Sequence, residues 1–127
     1  MRRYSTDVGA VVSRAEIERL LGNDAEFAAA LAGLDLLLQA RADRNIDWDR
    51  RIALAAVLVQ GGRPDAARQQ AARCFAEADE ARVRALTART LFRFLALGRT
   101  FQLQPQDPKL AELARSLLPP EFRAQLP

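Results

Sequence analysis

The apolar residues of this chain recur every three or four positions and never alternate over the length of a strand, a pattern that predicts helices throughout. Ser13-Arg14-Ala15-Glu16 has the S-x-x-E form, in which hydroxyl and carboxylate each satisfy a free backbone N–H. A first helix is therefore expected from Ser13 to about Leu21, with Ile17, Leu20 and Leu21 on one side. Gly22-Asn23 breaks it, and Asn23 with Glu26 repeats the start signal. Phe27, Leu31, Leu34 and Leu38 then make one apolar stripe, predicting a second helix to about Ala42. After the polar run Asp43-Arg44-Asn45, Asp47 is placed to cap a third helix carrying Trp48, Ile52, Ala55, Leu58 and Val59, which Gly61-Gly62 ends. Pro64 suits the first turn of a fourth helix, which reaches Ala78. Asp79-Glu80 opens a fifth through Val83, Leu86, Leu91, Phe94 and Leu97, with Gly98 as its stop. Residues 99–106 read as a connector, and Asp107-Pro108 begins a last short helix that Pro119-Pro120 closes. Residues 1–12 show no period and are expected to be a lead-in to a single domain over 13–127.

Links of two to eight residues cannot carry the chain back along a previous helix, so about six helices must run antiparallel to their neighbours. The expected class is all-α, built as stacked antiparallel helical hairpins, with a closed helical bundle as the alternative. Alanines such as Ala28, Ala53, Ala66 and Ala71 let neighbouring helices approach closely.

Residues 48–79 resemble one tetratricopeptide repeat, a helix-turn-helix unit with small or apolar residues at fixed places. With its turn glycine on Gly62, the pattern puts its leucine on Leu54, a small residue on Ala55, a first-helix aromatic position on Leu58 and the second-helix alanine on Ala67. The tryptophan position falls on Arg51, the second-helix aromatic on Ala71, the later alanine on Cys74 and the closing proline on Asp79. The repeat is thus degenerate. The run Gly62-Arg63-Pro64-Asp65-Ala66-Ala67, in so small a chain, is also similar to the tetratricopeptide-like chaperones of bacterial secretion systems. The resemblance implies a groove made by the first helices of successive hairpins, carrying Asp49, Ile52, Ala56, Val59 and Gln60 from the third helix.

Among 127 residues there is no histidine and one cysteine, Cys74. That composition excludes a Cys/His zinc cage, an internal disulfide, a Ser-His-Asp triad and a Cys-His dyad. Cys74 lies in the alanine-rich helix and reads as a small buried hydrophobe. The carboxylate pairs Glu16/Glu18 and Asp43/Asp47 sit near helix starts, where acids complement the dipole, and no nucleophile accompanies them. The chain is expected not to be an enzyme, and it implies no cofactor or metal.

The net charge of +3 is uneven along the chain. Residues 1–47 hold six arginines and eight acidic residues, whereas residues 48–127 hold twelve arginines and Lys109 against eight. An arginine bias with one lysine is also what a GC-rich genome produces. Arg82, Arg89 and Arg93, at spacings of seven and four, are expected on one face of the fifth helix, where guanidinium forks suit a carboxylate or phosphate. Nucleic-acid binding normally interleaves basic clusters with stacking aromatics, whereas most aromatics here fall on apolar stripes. Trp48 is read as core or edge packing, with partner anchoring as the alternative.

These readings point to a non-catalytic adaptor that binds another protein's peptide or helix in a groove. The alternatives are a secretion-type chaperone for an amphipathic client, or an anion or nucleic-acid binder using the arginine-rich second half. No stretch approaches the roughly 18 apolar residues of a membrane span. The N-terminus lacks a signal-like apolar run, so a cytoplasmic setting is expected unless a leader was removed.

Overall fold

The computed structural model describes residues 7–127 and is all-helical over them. Its helices are α1 (Val8–Leu20), α2 (Asp24–Gln39), α3 (Trp48–Gln60), α4 (Pro64–Ala76), α5 (Glu80–Arg84), α6 (Ala88–Phe101), α7 (Pro108–Leu117) and α8 (Pro120–Arg123).

Several boundaries fall where turn chemistry puts them. Gly22 and Gly62 follow α1 and α3 with φ of +73° and +72°, the left-handed region that glycine enters without a Cβ penalty. Pro64 occupies the first turn of α4, and the Asp107 carboxylate accepts from the Lys109 N–H at the start of α7.

Other boundaries differ from the sequence expectation. Helix α1 begins at Val8 rather than Ser13, because Asp7 accepts from the Gly9 N–H at 2.9 Å and caps it well ahead of the signal at Ser13. Val8 and Val12 are buried, so the second half of the expected lead-in is part of the packed structure, while residues 1–6 lie outside the described residues. Asn23 holds the N-cap position of α2, yet its side chain donates to Glu18 at 2.9 Å instead of capping. The expected fifth helix is two helices. Asp79 caps α5 through the Arg82 N–H, and Thr87 accepts from the Thr90 N–H to start α6 afresh. Gly98 does not stop α6, which runs on to Phe101 and ends at Gln102, whose φ is +56°. One extra turn, α8, follows Pro120.

The helices pair as hairpins α1/α2, α3/α4 and α6/α7, with α1 and α6 both packed against α3 and α5 against α7. Helix α3 is therefore central, and Ile52, Leu54, Ala55, Val57 and Leu58 on it are all fully buried. Burying a leucine or isoleucine side chain contributes about 1.5–3 kcal/mol. Ala67 and Ala71 of α4 are fully buried as well, which is what close approach to α3 requires. Phe75 stacks on Phe94 at 4.3 Å between centroids, joining α4 to α6, and Trp48 leans on Phe94 at 5.6 Å. The Trp48 indole N–H donates to the Cys74 carbonyl at 2.9 Å, so Trp48 is core packing rather than an exposed anchor.

A charged cluster is folded into this core. Arg51 is 2% exposed and pairs with Asp43 at 3.3 Å, while Gln70 accepts from Arg51 and donates to Asp43 at 2.9 Å. Burial pushes the Asp43 carboxyl up, but the Gln70 hydrogen bond and the Arg51 charge outweigh it and hold the group below its ordinary 3.8. Burial likewise pushes the Cys74 thiol up, to about 12, so the sulfur stays protonated. Among the described residues no helix is long and apolar enough to cross a membrane.

Candidate functional site

Because α1, α4 and α6 all pack on α3, only a narrow strip of that helix reaches solvent. Asp49 and Gln60 on the strip are exposed, Ala56 is half-buried, and Val59 is 40% exposed. Ile52, expected on the same surface, is fully buried and belongs to the core. The strip closes there because α3 is enclosed on three sides and presents no wider face.

Helix α6 runs beside the strip. Ala56, Val59 and Gln60 on one wall and Arg89, Phe92 and Arg93 on the other enclose a cleft of about 330 Å³. Ala96, Leu97 and Thr100 continue the second wall. The arginine spacing from 89 to 93 places both guanidiniums on one face of α6, one turn apart. Arg82 is not with them. It sits on α5, where it pairs with Asp79 at 3.6 Å and donates to the Glu77 carbonyl at 2.7 Å. The new helix start at Thr87 is the reason, since a seven-residue spacing shares a face only within one continuous helix.

A third element contributes charge. Glu16 of α1 lies 3.2 Å from Arg93 and 3.6 Å from Arg89, so a carboxylate from one side of α3 meets two guanidiniums from the other. Glu16 and Arg93 are each only 13% exposed, which shields this pair from solvent more than an ordinary surface ion pair. Arg89 is 54% exposed and makes no side-chain hydrogen bond within the described residues, leaving its donors turned to solvent. One turn beyond Glu16 on α1, Leu20 is 74% exposed, and Ile17 beside it is 54% exposed.

The carboxylate pairs noted in the sequence do not stay together. Glu18 turns to Asn23 while Glu16 turns to the arginines, and Asp43 is buried with Arg51 while Asp47 marks the start of α3. Of the residues around the cleft, Phe92 was not singled out by the sequence, and Glu16 was read there as an acid at a helix start rather than as the partner of Arg89 and Arg93.

A larger cavity of about 510 Å³ lies between α4, α6 and α7, over Phe75 and Phe94 and rimmed by Arg99 and Arg115. Its aromatic floor is itself core: Phe75 is 6% exposed and Phe94 fully buried. The α3/α6 cleft instead carries an exposed β-branched side chain beside the half-exposed Arg89 guanidinium, whose one partner is the carboxylate it shares with Arg93. No protein family, curated relative or solved structure matches the chain.

Proposed function

We propose that the chain is a non-catalytic interaction module whose α3/α6 cleft, continued onto α1, holds a segment of another protein. The observation that carries this reading is the exposure of Val59 within a cleft also lined by Ala56 and Phe92, because solvating an open apolar strip costs about 25 cal/mol per Å² that a partner recovers. Three first helices of hairpins, α1, α3 and α6, supply the surface side by side, as in a tetratricopeptide-like stack. Leu54, Ala55, Leu58 and Ala67 are buried where α3 meets α4, with Gly62 turning between them, which supports the degenerate-repeat reading. A non-catalytic role is supported by chemistry that is already occupied: Glu16 and Asp43 are neutralised by arginines and the Cys74 thiol is buried and protonated.

The test is selection of a displayed peptide library on the wild-type chain, followed by rebinding to Val59→Asp. Enriched peptides that lose binding to the variant, at unchanged melting temperature, are the expected result. Enriched peptides that bind Val59→Asp equally well would move the site elsewhere on the molecule.

A further inference from the structure

From the same cleft we infer the chemistry of its occupant: an amphipathic helix whose apolar stripe is bordered by Asp or Glu. This rests on the cleft being the binding surface, as proposed above.

The helical form follows from hydrogen-bond supply. An extended peptide brings unpaired backbone N–H and C=O groups that must find partners as they are buried. The walls here are helices whose own backbone is internally bonded, and they offer only Gln60 and Thr100 as uncharged polar side chains. A helix arrives with its backbone already satisfied and needs only an apolar face to lay against the groove. The α6 wall from Arg89 to Thr100 spans about 18 Å, room for a helix of about three turns. Val59, which is exposed, and Phe92, which is half-buried, present apolar surface on the two walls of the cleft.

The acidic border follows from charge. Two guanidiniums face one carboxylate, so Arg89, Arg93 and Glu16 together leave the cleft one positive charge in excess. Arg93 is held by Glu16 through a hydrogen bond, whereas Arg89 stands 3.6 Å off with its fork open. A carboxylate one turn from an apolar anchor on the incoming helix would accept from Arg89 in bidentate fashion while its apolar stripe covers Val59 and Phe92. A basic border would meet Arg89 as like charge.

The experiment uses two synthetic helical peptides of about 16 residues with the same leucine stripe, one bordered by Glu and the other by Lys. Each is titrated by fluorescence anisotropy against the wild-type chain, Val59→Asp, Arg89→Gln and the control Arg115→Gln. The Glu peptide should bind the wild type and Arg115→Gln alike, weaken with salt, and lose about tenfold or more in affinity on Arg89→Gln; the Lys peptide should bind far more weakly. Equal affinities for both peptides, each lost on Val59→Asp, would overturn the acidic assignment while leaving the groove in place. Binding indifferent to Val59→Asp would overturn the groove and the assignment together. Failure of the Glu peptide to bind the wild type would also reject the assignment, with the library selection still deciding the groove. A single-stranded DNA oligonucleotide that binds, is lost on Arg89→Gln and ignores Val59→Asp would assign the arginines to phosphate instead.

Discussion

Arg51 shows how far a single side chain can depart from its sequence appearance. It stands in the run Asp47-Trp48-Asp49-Arg50-Arg51, where charge suggests a solvated helix start, yet it is buried and bonded to Asp43 and Gln70. Removing one partner of such a pair strands the other charge in the core, so Asp43→Ala should destabilise the chain by about 3–5 kcal/mol in urea unfolding. A variant as stable as the parent would show that Arg51 finds water. The pH dependence follows from the direction of the shift. Asp43 titrates lower in the folded chain than its unfolded value of 3.8, so its contribution is complete above that pH and is lost as pH falls through 3.8 and then through the folded value. The stability gap between wild type and Asp43→Asn should therefore be full near about pH 6 and shrink below about pH 4. The apolar stripes told which residues could be core, but on α3 they could not tell strip from interior. Ile52 and Val59 carry equally apolar side chains seven residues apart, and only the flanking helices decide that the first is buried and the second open.

At the scale of elements, the endings were legible where the backbone needed a special residue and obscure where a side chain merely offered a cap. Gly22, Gly62, Pro64 and Asp107-Pro108 mark real boundaries because φ or a missing N–H dictates them. Thr87 interrupts an apolar spacing that continues unbroken from Val83 to Leu97, so periodicity joined two helices that the Thr87 hydroxyl separates. Asp7 likewise begins α1 inside a stretch with no clear period, ahead of the better-looking signal at Ser13. If the Thr87 cap fixes where α6 starts, Thr87→Ala should cost about 1 kcal/mol and lower the melting temperature by a few degrees. Since α6 carries Arg89 only two residues on, the same variant should loosen the Arg89 end of the cleft before the Thr100 end, visible as faster amide hydrogen exchange there. Equal exchange at both ends would mean that packing on α3, not the cap, sets the position of α6.

For the molecule as a whole, the hairpin stack is what brings scattered residues together around a cleft. Glu16 and Arg93 are 77 positions apart, and no local spacing relates them. They meet because α1 and α6 both pack on α3, and the same arrangement leaves the strip at Ala56 and Val59 uncovered between them. The helical class and most hairpin partners followed from periodicity and short links, whereas the cleft depended on which flanks of α3 the neighbours occupy. The proposed function places a partner in that cleft rather than in the larger cavity beside Phe75. The most direct measurement is the map of amide chemical-shift changes in the ¹⁵N-labelled chain as a peptide from the library selection is titrated in. The shifts should concentrate on Ala56, Val59, Gln60, Phe92 and Ala96 and extend to Glu16; a set concentrated on Gly98, Leu103, Ala111 and Arg115 would contradict that placement and put the partner in the α4/α6/α7 cavity.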